Sequence, residues 1–130
     1  MKRFVPLIAV LLIIGLAGCV GGPKEEAPST PAADLVAKGQ QSFTDKGCVA
    51  CHTIDGKPGV GPTLKGLYGR ATVLDNGQTV TADDAYILES IKNPDAKIVK
   101  GFNKGVMISA VAGITDSDAK ALAEYTKSLK

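Results

Sequence analysis

The chain of 130 residues predicts an all-α domain of three to four helices, and three observations carry that reading. Apolar residues recur at helical spacing in three stretches that have start and stop residues at their ends. The stretches between them are rich in Gly and Pro, and only residues 71–80 read as extended. The run Cys48-Val49-Ala50-Cys51-His52 is the attachment signature of a c-type haem. Such a group would supply apolar bulk that the domain lacks, since it has no Trp and few aromatics: Phe43, Tyr68, Tyr86, Phe102 and Tyr125.

Each element follows from local sequence. Asp34 to Lys46 reads as the first helix, with Leu35, Val36, Gly39 and Phe43 near helical spacing and Gly47 as its stop. Cys48 to His52 follows as a helical turn. Thr53 to Thr63 holds Gly56, Pro58, Gly59, Gly61 and Pro62 and is a loop. Leu64 to Tyr68 reads as one further helical turn. In residues 71–80, Asp75-Asn76-Gly77 lies between short β-branched stretches and suits a small hairpin whose turn has positive φ. Thr81-Ala82-Asp83-Asp84 matches a helix start, and the helix runs to about Lys92 before Pro94. Ala85, Leu88 and Ile91 form its apolar stripe, with Ile87 beside it. Asp95 to about Thr115 is a loop holding Met107. Thr115-Asp116-Ser117-Asp118 starts a last helix that reaches about Leu129, with Leu122, Tyr125, Thr126 and Leu129 on one side.

The thiol pair is read by its spacing. Two cysteines three positions apart lie on one side of a helical turn, so both can add to the two vinyl groups of one porphyrin. The adjoining His52, the chain's single histidine, then reaches the iron from one face. A thioredoxin-type redox disulfide would want an alternating strand–helix pattern, which is not visible. A structural zinc site would want four Cys or His ligands, and the third thiol has another reading. For the opposite axial position there is one candidate thioether: Met1 belongs to the N-terminal signal, which leaves Met107. Met/His ligation suits electron transfer. The alternative is that Met107 only fills a gap in the core.

The N-terminus predicts export. Met1-Lys2-Arg3 is basic, Phe4 to Leu16 is nearly unbroken apolar sequence, and Leu16-Ala17-Gly18-Cys19 supplies small residues at a cleavage point. The apolar run is short for a spanning helix, which needs about 20 residues. Leu-Ala-Gly-Cys resembles the lipobox of bacterial lipoproteins, which implies cleavage before Cys19 and lipidation of its sulfur. The other reading is an uncleaved, tilted anchor with Cys19 unmodified. The expected organisation is a signal over 1–18, a lipidated N-terminus and flexible linker over 19–33, and the haem-binding domain over 34–130. The expected location is the cell membrane, facing the periplasm or cell exterior.

The formal charge of +2 is accounted for by Lys2 and Arg3, so the exported chain has no basic excess, which argues against nucleic-acid binding. Lys57, Lys65, Lys100 and Lys104 sit in loops where they could steer an acidic partner, or simply form a solvated mixed-charge surface.

The run Gly47 to His52, then Val60-Gly61-Pro62-Thr63-Leu64-Lys65-Gly66-Leu67-Tyr68-Gly69-Arg70, then Met107, resembles a class I, mono-haem cytochrome c. The similarity is greatest to small membrane-anchored bacterial c-type cytochromes and to the cytochrome c domain of oxidase subunit II. It spans about residues 34–130, with Thr79 to Ile87 and Ile91-Lys92-Asn93-Pro94 extending it. The resemblance implies the class I cytochrome c fold and one haem c held by Cys48 and Cys51. It implies His52 and Met107 as iron ligands, the Pro62 carbonyl accepting from the His52 imidazole, and Arg70 pairing with a haem propionate. It also implies that Gly39 and Phe43 meet Tyr125 where the first and last helices cross. One position departs from the family pattern: Ile108 follows Met107 where Pro is frequent.

The expected function is a membrane-tethered one-electron carrier of a respiratory chain, not an enzyme. Its partners would be redox proteins, with a terminal oxidase or reductase as candidate. Two alternatives stand beside it: an electron-transfer subunit of a larger dehydrogenase or oxidase complex, and a gas-binding or peroxidase-like haem protein with an open sixth position.

Overall fold

In the computed structural model, residues 30–130 are described; the signal over 1–18, Cys19 and the linker through residue 29 lie outside them. Helix α1 spans Pro31–Asp45, and a 3-10 turn spans Cys48–Ala50. The hairpin strands are β1 (Ala71–Val73) and β2 (Thr79–Thr81), and the remaining helices are α2 (Asp84–Lys92), α3 (Ile108–Val111) and α4 (Asp116–Ser128). The expected all-α architecture with a small hairpin is what the chain forms.

Helix α1 begins three residues earlier than its apolar spacing suggests. Thr30 is its N-cap, with Oγ1 accepting from the Ala33 N–H at 3.3 Å. Pro31 is at the first helical position, where a missing N–H costs nothing. Gly47 ends this run with φ 74°, a left-handed conformation that leads straight into the Cys48 turn.

Helix α1 crosses α4 at close range. Gly39 is buried there, and a Cβ at this position would lie 2.0 Å from the Ala121 carbonyl oxygen. Four residues on, Phe43 packs against Tyr125 with ring centroids 5.6 Å apart and tilted at 52°. The core then continues through Leu67, Leu74, Tyr86, Ile87, Ile91 and Leu122. Helix α4 starts as its sequence indicates: Thr115 and Asp118 form a reciprocal capping box.

Helix α2 differs in two respects. Its N-cap is Asp83, whose side chain accepts from the Tyr86 N–H at 2.9 Å. Thr81 is instead paired with Ala71 in the hairpin. The buried face is Tyr86, Ile87 and Ile91, while Ala85 is exposed, so the stripe is rotated from the expected one. Residues 64–68 form hydrogen-bonded turns and no helix. In the hairpin, only Gly77 has positive φ, at 83°. The Gly77 N–H donates to the Leu74 carbonyl and the Leu74 N–H to the Gln78 carbonyl, the pattern of a tight turn closed by a glycine bulge.

Segment 98–100 covers the other edge of β1, through Asp75 N–H to Ile98 O and Lys100 N–H to Val73 O. On the opposite side, Lys127 joins Asp84 at 2.9 Å and Glu124 at 3.0 Å, and Tyr68 donates to Asp84 at 3.1 Å. The bond from Lys127 lowers the Asp84 pKa, and Asp84 in turn raises that of Tyr68. This exposed clasp ties the 61–70 loop to α2 and α4. No helix among the described residues is long and apolar enough to cross a membrane.

Candidate functional site

The 3-10 turn presents the thiol pair. Three backbone bonds fix it: Ala50 N–H to Gly47 O at 3.0 Å, Cys51 N–H to Cys48 O at 3.1 Å, and His52 N–H to Cys48 O at 2.9 Å. Cys48 and Cys51 are both free and half-buried. Burial pushes the Cys48 thiol above its ordinary pKa. That is opposite to the lowered pKa of a reactive redox thiol and speaks against the thioredoxin-type reading. The zinc reading fares no better: among the described residues, no group of three or more His, Cys, Asp or Glu side chains is placed to hold a metal ion.

His52 is oriented by the loop that follows it. Its Nδ1 lies 2.8 Å from the Pro62 carbonyl oxygen. A carbonyl only accepts, so Nδ1 carries the proton and Nε2 keeps its lone pair for a metal. Gly61 lies flush against the ring: a Cβ there would be 2.7 Å from His52 Cε1. The sequence marked Pro62 but gave no sign of this close approach.

One cleft receives these groups. Cys48, Cys51, His52, Pro62, Arg70 and Met107 all line it. Its remaining wall is largely apolar, with Leu67, Ile87, Ile91, Phe102, Val111 and Leu122 among the contributors. Met107 is half-buried and occupies the N-cap position of α3. Arg70 is exposed at the cleft surface. Lys57, Lys65, Lys100 and Lys104 are also exposed, and none of them lines the cleft.

Several lining residues had no marker in the sequence. Tyr86, Ser90 and Lys97 also line it, and Lys97 is paired with Glu89. Tyr86 and Ser90 are four apart on α2, and reading its stripe one residue over would have found them. The two thiols on one turn, an imidazole of fixed tautomer, a thioether and apolar walls fit a covalently attached haem.

Comparison with known proteins agrees. The family model described as cytochrome c matches residues 36–130. The chain is 37% identical over 95 residues to cytochrome c2 iso-1 of Magnetospirillum fulvum, covering 64% of this chain and 91% of that protein. It is 49% identical over 53 residues to the cytochrome c-type cyt cy of Rhodobacter capsulatus, covering 41% of this chain and 26% of that one. Similarity to cytochrome c oxidase subunit 2 of Bacillus subtilis is 28% over 105 residues, covering 78% of this chain and 28% of the subunit.

Proposed function

The chain belongs to the cytochrome c family, and from that premise we propose a membrane-tethered, extracytoplasmic carrier of single electrons in a respiratory chain. It binds one haem c through Cys48 and Cys51 and works in electron transfer. When bound, the haem supplies an iron that alternates between two oxidation states. The chain's own residues do the rest. His52, through Nε2, and Met107, through its sulfur, would hold the iron. Pro62 holds the imidazole proton on Nδ1 and raises the basicity of Nε2. Arg70, at the cleft surface, would pair with a propionate, and the apolar walls would keep water from the iron's surroundings, which favours small reorganisation.

The observation that carries this reading is that the single imidazole and the single thioether of the described residues line the same cleft as both thiols. The test is a visible and far-red spectrum of holoprotein in both oxidation states, with and without carbon monoxide. A low-spin spectrum with the Met–ferric iron charge-transfer band, unchanged by the gas, is expected. Ready gas binding to the reduced protein would instead mean an open sixth position.

Tethering rests on the sequence before residue 30. A basic start, an apolar run and Leu-Ala-Gly-Cys19 support cleavage and lipidation at Cys19, with residues 20–33 giving the domain reach. Mass spectrometry of the purified holoprotein is expected to show a chain that begins at Cys19 and carries acyl chains there. An intact N-terminus with Cys19 unmodified would favour the uncleaved anchor. Similarity to an oxidase subunit supports a terminal oxidase as partner.

A further inference from the structure

We propose that Thr63 is a positioning residue that sets the strength of the His52–Pro62 hydrogen bond. The proposal rests on His52 being an iron ligand.

Three successive links join residues 51–53 to residues ten positions later. The Gly61 N–H donates to the Cys51 carbonyl at 2.9 Å. His52 Nδ1 donates to the Pro62 carbonyl at 2.8 Å. Thr63 Oγ1 donates to the Thr53 carbonyl at 3.2 Å. The imidazole bond is the middle link, flanked on one side by a backbone bond and on the other by the Thr63 hydroxyl.

That hydroxyl has further partners. It accepts from the Gly56 N–H at 3.2 Å and from the Lys65 N–H at 3.3 Å. Thr63 is only 8% exposed, so few waters can replace it. The Leu64 N–H also reaches the Thr53 carbonyl, at 2.8 Å, but it cannot serve the two amides. Removing the hydroxyl therefore loosens loop 53–65 on both sides of Pro62. A carbonyl free to drift gives a longer, weaker bond to Nδ1–H. The imidazole becomes a poorer donor to the metal, which disfavours the oxidised state.

The test compares Thr63→Val, Thr63→Ala and Thr63→Ser in full-length holoprotein, read by reduction potential and by NMR exchange of the His52 Nδ1 proton. Both hydroxyl-free variants are expected to raise the potential and to speed exchange roughly five- to tenfold. Thr63→Ser is expected to restore both readouts. Lowered thermal stability with wild-type potential and exchange would overturn the proposal, as would a Ser variant as shifted as Val. Failure of both hydroxyl-free variants to hold haem would also overturn it, in favour of a folding role. A wild-type protein lacking an iron-bound His52 resonance would refute the ligand assignment itself, which is a different result from an unresponsive Thr63.

Discussion

Met107→Ala is expected to leave a folded, haem-bearing protein with a lower reduction potential and an iron that binds carbon monoxide when reduced. A thioether is a soft, weak donor that favours the reduced iron over the oxidised one. Axial ligands set haem potentials over a range of about 0.8 V, so losing one should move the potential more than a change at a cleft residue that does not ligate the iron. The fold should tolerate the loss. Met107 is half-buried and precedes the one-turn helix α3, and it is absent from the core cluster that joins α1, α2 and α4. Met107→Leu separates the two possible roles of the side chain. If Met107 only fills space, leucine should behave as wild type, because a volume-conserving apolar exchange costs less than about 1.5 kcal/mol. If it ligates, leucine should match alanine in spectrum and potential while keeping thermal stability. A Met107→Ala protein with an unchanged spectrum would refute ligation.

The departure at Ile108 bears on this site. Residue 108 is the first helical residue of α3, directly after Met107. That is the position at which proline is tolerated because its N–H would be unpaired anyway. Isoleucine starts the helix at a position that proline could also occupy.

Chemistry was legible in the sequence because it is carried by rare residues. One histidine and two methionines leave few assignments once the thiol pair is seen. Helices α1 and α4 were legible because their apolar positions are long and periodic. Short elements were harder. Thr81 and Asp83 are both good N-caps, and only the pairing of Thr81 with Ala71 decides between them. The stripe on α2 was misplaced because Ala85 fits the spacing yet faces water, while Tyr86 takes the buried position. Close backbone approaches were not legible at all. Gly61 against the His52 ring and the Thr63 hydroxyl within its loop depend on the path of residues 53–65, which no periodicity describes.

Gly39→Ala is expected to destabilise the protein, although alanine is the better helix former. Propensity alone would stabilise the helix by about 1 kcal/mol. Packing opposes this. The new Cβ would meet the Ala121 carbonyl oxygen at 2.0 Å, its carbon at 2.6 Å and Tyr125 Cβ at 2.7 Å. Two of these are backbone atoms of α4, so no rotamer change relieves the contact and the helices must separate. Overpacking of this kind costs about 1–3 kcal/mol, occasionally more, and a contact this close belongs at the upper end. A net loss of roughly 2 kcal/mol corresponds to a fall in Tm of about 8–16 °C for a domain of this size. Thermal unfolding of the holoprotein measures it, and a Tm equal to or above wild type would show that the helices can part without cost. Adding Ala121→Gly should not restore stability, because the obstruction is the peptide oxygen and not the Ala121 methyl. Separation would also reach the cleft. Helix α1 runs through Gly47 directly into the Cys48 turn, and Leu122 and Thr126 of α4 line the cleft. Moving the two helices apart thus shifts the thiols relative to the opposite wall, so reduced haem incorporation is expected alongside the lower Tm.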